Sequence, residues 1–273
     1  MTDDTKPSSR RRFLQLSGGT LGALALGGGA TIAVAQNDGA GDGGPTDDGP
    51  DDDGNGADAA TYRVTVANLT RGQPLTPPVV ALHSPRTGVF SVGEPASPPV
   101  QGLAENGAVP PLVEALDGDS EVAASGTVGD APLVPASDPG ETGLPYTASV
   151  EFGTDRGTRY LSMASMLIAT NDGFAGLDTV PLPNAVGASR SYYAAGFDAG
   201  TEENTEAFAD LVPPAQSLIG VESDEDGTAE TNPDLAEDGV VTPHPGIAGV
   251  ADLDPDVYGW TEPVALVHVE RVS

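Results

Sequence analysis

The stretch Phe197-Asp198-Ala199-Gly200-Thr201-Glu202-Glu203-Asn204-Thr205-Glu206 sets carboxylates on both sides of a glycine break. Upstream, a second acidic turn, Thr170-Asn171-Asp172-Gly173-Phe174, closes the most strand-like run of the chain. Two acidic turns that close strands of one sheet can gather oxygens around a hard cation. Calcium takes about 6–8 oxygen ligands at about 2.3–2.6 Å, from carboxylates, backbone carbonyls and water. Asp198 and Glu202 are separated only by Ala199-Gly200-Thr201, so one turn can aim both at a point that Asp172 reaches from the neighbouring loop. The expected metal site is therefore Asp172, Asp198 and Glu202, holding Ca2+. Such an ion would rigidify the loop end and present Phe174 to a partner.

Other chemistries find less support. No Gly-x-Ser-x-Gly elbow and no Gly-rich phosphate loop occurs. Cysteine is absent, which removes disulfides, thiol nucleophiles and the usual copper electron-transfer site. Of the three histidines, His268 lies in an alternating strand, where it packs or faces outward. His83 ends a strand and His244 sits in Pro243-His244-Pro245-Gly246. Those two could meet in space as a second metal or proton-transfer site. A glycosidase-type carboxylate pair stays open in so acidic a chain, although one tryptophan and six tyrosines offer few platforms for sugar.

The acid must be weighed against its background. The chain has 41 acidic and 11 basic residues, a formal charge of −30, and Lys6 is the single lysine. That balance resembles proteins of halophiles. In molar salt the Debye length falls to about 3 Å, self-repulsion is screened, and surface acid serves hydration. A given Asp or Glu is thus more often solvating than functional. Glu203 and Glu206 fall into that background, as does Asp224-Glu225-Asp226-Gly227. No basic stripe exists to meet nucleic acid or anionic lipid.

Ser9-Arg10-Arg11-Arg12-Phe13-Leu14 matches the twin-arginine export pattern, followed by a Gly/Ala/Leu-rich apolar stretch and a small-x-small cleavage site at Ala33-Val34-Ala35. Residues 1–35 read as a signal peptide and 36–60, without a large apolar residue, as a disordered acidic linker. The protein is expected to be secreted or loosely cell-surface associated, with no membrane insertion once the signal is removed.

Residues 61–273 suit one domain. Tyr62 to Leu69 alternates with period two; Val79 to His83, Tyr146 to Phe152, Arg159 to Ala169, Ser191 to Ala195 and Val264 to Val272 are the other strand candidates. Gln101 to Asn106 and Pro110 to Leu116 read as short helices, and Val212 to His244 as an acidic surface loop. With 25 prolines, 36 glycines and no amphipathic crossover helices, the pattern predicts an all-β, antiparallel eight-stranded β-sandwich with long loops and one or two short helices.

Several segments carry a family resemblance: Tyr62 to Pro78 with Val80-Ala81-Leu82-His83, Gly93-Glu94-Pro95-Ala96-Ser97, Ala164 to Gly176, Phe197 to Glu202, and His244 to Leu253. In this order they resemble the prokaryotic branch of the spondin N-terminal domain family, related to the domain of F-spondin and mindin. The resemblance spans nearly all of residues 61–272. It implies a β-sandwich similar to calcium-dependent membrane-targeting domains, one calcium ion, and ligands at Asp172, Asp198 and Glu202. Glu202 stands where the animal domains carry aspartate, and Asn171 to Phe174 lacks their proline and tryptophan. Animal partners such as integrins are not carried over. The functional expectation is a non-catalytic calcium-binding module for adhesion or recognition, its partner an unknown extracellular protein or glycan. The alternative is an exported hydrolase acting on glycans or esters through a carboxylate pair or His83 and His244.

Overall fold

Alternation dictates the central strand. In the computed structural model, which describes residues 59–154 and 157–273, β1 (Ala60–Asn68) turns Tyr62, Val64 and Val66 inward and Arg63 and Thr65 outward. The expected signal peptide, and the expected linker through residue 58, lie outside the described residues. Ala60, assigned to that linker, instead begins β1.

Eight strands form a continuous antiparallel path, and the fold is all-β as the pattern predicts. They are β1, β2 (Val79–His83), β3 (Val122–Thr127), β4 (Thr147–Thr154), β5 (Tyr160–Met166), β6 (Gly173–Pro181), β7 (Ser189–Asp198) and a last strand, β9 (Ala265–Arg271). The order is β3-β2-β5-β6-β7-β9-β1-β4, and a two-residue strand, β8 (Thr242–Pro243), adds to the end of β7. β7 serves two sheets. Its first part, Ser189 to Ala194, pairs with β9, and its last part, Ala195 to Asp198, pairs with β6. The path folds over at this strand, and the two halves enclose a core containing Val64, Val80, Leu161, Met163 and Val267.

β2 is buried at every position. Its Val80 and Leu82 enter the central core, while Val79 and Ala81 meet a second cluster with Leu103 and Leu112. Two helices cover that outer face: α1 (Pro98–Asn106) and α2 (Val109–Asp117), each with proline in its first turn, where the missing N–H has no partner to lose. Cover on both faces explains why β2 reads as an unbroken apolar run.

The loops hold more structure than the composition suggests. Within the expected surface loop Val212 to His244, Val212, Ala215, Leu218 and Ile219 are buried, with α3 (Ala215–Ile219) at their centre. They join Leu211, Ile168 and Tyr258 in a third apolar cluster. Tyr258 ends α4 (Pro255–Tyr258), which makes four short α-helices where one or two are expected. Asp224 to Asp226 are exposed, as solvating acid should be.

Candidate functional site: a buried carboxylate cluster at one loop end

Asp172 lies between β5 and β6, in a turn tied by Thr170. The Thr170 hydroxyl donates to the Leu167 carbonyl at 2.6 Å and accepts the Gly173 N–H at 2.9 Å. Gly173 has no alternative here. A Cβ at that position would stand 2.5 Å from Thr170 Oγ1 and 3.0 Å from the His244 ring. The packed turn directs the Asp172 side chain into the molecule, where the residue has no solvent exposure.

Its two oxygens differ. Oδ2 accepts the backbone N–H groups of Thr201 at 2.7 Å and Glu202 at 3.1 Å, and the Thr201 hydroxyl at 3.2 Å. Oδ1 is buried and has no hydrogen-bond partner. Burial, reinforced by the nearby Asp198 charge, raises the Asp172 pKa to about 6 against the opposing pull of the Thr201 and Glu202 N–H groups.

Asp198 ends β7, paired with Gly173 of β6 on one side and Thr242 of β8 on the other. Its Oδ1 accepts the Gly200 N–H at 2.7 Å and its Oδ2 the Asn204 side-chain amide at 2.6 Å. Gly200 takes φ +68, and a Cβ there would lie 2.7 Å from the Val240 backbone. This close approach clamps the 198–202 loop to residues 239–240.

Glu202 is buried but turns toward another part of the fold. Its Oε1 accepts the Asn232 N–H at 3.0 Å, and its backbone bridges to Ala236. Desolvation raises its pKa to about 7, with Glu105, Asp172 and Asp210 adding like-charge repulsion against the Asn232 hydrogen bond. The structure thus sets Asp172 beside Asp198 and binds the loop of Glu202 to Asp172 through backbone. Among the described residues, no three His, Asp or Glu side chains converge closely enough to hold a metal as they stand.

Three expectations need correction. Glu206 is not background acid. It is 4 % exposed, takes φ +55, and its carboxylate accepts the N–H groups of Ala248, Gly249 and Val250 at 2.6, 2.7 and 2.8 Å. Phe174 presents nothing outward, because it is fully buried in edge and tilted contacts with Phe90 and Phe197. His83 and His244 do not meet. His83 pairs with Tyr160 at the start of β5, whereas His244 lies against Gly173, beyond that strand's other end.

Each histidine has a local role. His83 Nδ1 donates to the Ser84 carbonyl at 2.7 Å, so Nε2 accepts the Ser162 hydroxyl at 2.8 Å. That polarity resembles a base and its nucleophile, but both residues are completely buried, which makes the pair a core hydrogen bond. His244 accepts the Gly246 N–H at Nδ1, at 3.0 Å, and packs against Trp260. Burial lowers its pKa against the raising effect of Asp198 and Glu206, and its Nε2 has no partner.

Sequence reasoning also missed what Asn68 and Gln73 do. Asn68 donates to the Gln73 and Leu133 carbonyls, and Gln73 joins Tyr258 and Ala169. The polar residues of that opening segment thus tie loops together.

Fold and site define an all-β sandwich whose loop end buries neighbouring carboxylates. Compared with known proteins, the chain matches no protein-family model and no curated protein.

Proposed function

We propose that this is a secreted calcium-binding β-sandwich module for adhesion or recognition at a cell surface or matrix, without catalysis. The carrying observation is the buried, unpartnered Oδ1 of Asp172 beside the like charge of Asp198. A buried carboxylate oxygen lacking a donor is unfavourable, and a second carboxylate nearby makes it worse. A divalent cation relieves both. Asp172 and Asp198 would hold it, with backbone carbonyls and water completing an oxygen shell of the kind calcium takes. Glu202 would join after releasing the Asn232 N–H, or act through water. The spondin-like order of segments supports this reading and membership of that family's prokaryotic branch; the twin-arginine pattern supports export.

The test is a thermal melt with and without calcium at the high ionic strength the composition implies. At about a hundred times its Kd, a ligand specific for the folded state adds about 2.7 kcal/mol. For a domain of this size that moves Tm by about 5–10 °C. No shift in the wild type, or an equal shift in Asp172→Asn, would sink the proposal.

The rival is an exported hydrolase of glycans or esters. Glu202, with its pKa at about 7, has the protonation range of a general acid. Turnover of nitrophenyl glycosides or esters that disappears in Glu202→Gln would favour it.

A further inference from the structure

We propose that the end of the sandwich opposite the carboxylate cluster binds an acidic glycan, a sugar chain carrying carboxylate or sulfate groups. Two cavities of about 440 and 400 Å³ lie there, and they adjoin, since Arg159 and Asn184 line both. Arg190 adds its charge to the first and Arg271 to the second. Among the described residues, no Asp or Glu lines either cavity, although the chain has 41 of them. Of its 11 basic residues, Lys6 and Arg10 to Arg12 precede the described part. Three of the remaining seven therefore meet at one place.

Strand register explains the convergence. Alternate residues of a strand share a face. On β7 the core-facing row of Ala194 and Tyr192 ends at Arg190, and on β9 the row of Val267 and Val269 ends at Arg271. Arg159 stands two residues before Leu161, in line with Leu161 and Met163 of β5. Three core rows thus finish in guanidinium groups, at the ends of β5 and β7 away from Asp172 and Asp198. Arg271 is half-buried and held in place, donating to the Asn184 carbonyl at 2.6 Å and the Ser273 carbonyl at 3.0 Å. Arg159 and Arg190 are exposed, and neither side chain has a hydrogen bond or ion pair among the described residues. Glu270, between Val269 and Arg271, points to the other face, where it accepts Arg63.

The lining selects the ligand. A guanidinium fork takes oxyanion oxygens in pairs, and two adjoining cavities suit a ligand with more than one acid group. Asn184, Thr158 and Tyr160 bring amide and hydroxyl groups, which meet sugar hydroxyls. A peptide fits less well. The β6 edge ends at Pro181, which has no N–H and whose carbonyl already accepts the Tyr192 hydroxyl, so no strand adds there. In molar salt the charge of −30 is screened beyond about 3 Å, and the ligand meets the arginines, not the distant acid. The site uses none of Asp172, Asp198 or Glu202, so it stands or falls apart from the calcium reading.

The test is isothermal titration of the full chain in about 1 M KCl with trigalacturonate and with sulfated maltotriose. Binding of either is the expected result, and the two probes tell carboxylate from sulfate recognition. Arg159→Gln and Arg190→Gln should each weaken that binding about tenfold. Neither should lower Tm, because neither side chain has a partner to lose. Arg71→Gln removes the same charge beyond the far end of β1, whose first residue, Ala60, lines the second cavity. It should leave the affinity unchanged, as should Asp172→Asn without calcium. The proposal is overturned by a wild type that binds neither acidic sugar, or that binds uncharged maltotriose or triglutamate as tightly. Equal weakening in Arg71→Gln, or unchanged affinity in both Arg159→Gln and Arg190→Gln, would overturn it too.

Discussion

Asp172 is held by a compromise between two halves of one carboxylate. Oδ2 fixes the neighbouring loop through Thr201 and Glu202, while Oδ1 is buried without a donor. In Asp172→Asn the remaining carbonyl can keep the two N–H bonds, and the charge is gone. At about pH 8 and without calcium this variant should be more stable than the wild type, by about 1–3 kcal/mol, and indifferent to calcium. Paired melts read both effects; a variant that is less stable yet still responds to calcium would contradict the assignment. The pH dependence has a definite sign. The folded pKa of Asp172, about 6, lies above its ordinary value, so the folded state takes up a proton before the unfolded chain does. Without calcium, stability should rise as pH falls through about 6 and the gain be complete below about 4, where the unfolded carboxylate also protonates. Glu202 acts in the same direction, starting from about 7. Calcium reverses the trend, since it requires the ionised form: the calcium-induced rise in Tm should shrink over the interval in which the apo protein gains stability.

Elements matter because they bring distant loops to the carboxylates. Glu206 is a clamp: three N–H groups of residues 248–250 converge on its side chain, and its own carbonyl accepts the Asp252 and Leu253 N–H groups. Glu206→Gln replaces one acceptor oxygen by a donor that faces N–H groups. It should destabilise the domain by about 1–3 kcal/mol, and hydrogen exchange should show the Ala248, Gly249 and Val250 amides losing protection first. Gly200→Ala should open the contact with Val240 and Gly239, and so displace the N–H groups that hold Asp172 Oδ2. A calcium response that is lost or much weakened in this variant, with the strands still formed by circular dichroism, is the expected result. Period-two alternation made β1 and β9 legible, and unbroken apolar runs did the same for β2. β6 was not, because its Gly173-Phe174-Ala175-Gly176 carries turn-like residues whose smallness serves packing: Phe90 would lie 2.6 Å from a Cβ at Gly176. The carboxylate positions of Asp172 and Asp198 were legible from turns that close strands. Glu206 was not, since three backbone N–H groups on a loop some forty residues away leave no local sequence signal.

The whole molecule sets its acid against its packing. Three ion pairs occur among the described residues, all on the surface and all using Arg63 or Arg86. Exposed pairs contribute about 0–1 kcal/mol and cannot offset a formal charge of −30. The folded state is more compact than the unfolded chain and feels that repulsion more strongly, so screening favours folding. Raising KCl from about 0.2 M to about 2 M shortens the Debye length from about 7 Å to about 2 Å, and the apo Tm should climb along with it. The buried pair Asp172 and Asp198 lies where salt penetrates least. The Tm increment produced by saturating calcium should therefore change far less over the same series than the apo Tm itself. An increment that vanishes in step with rising salt would place calcium on the diffuse acidic surface and not at Asp172.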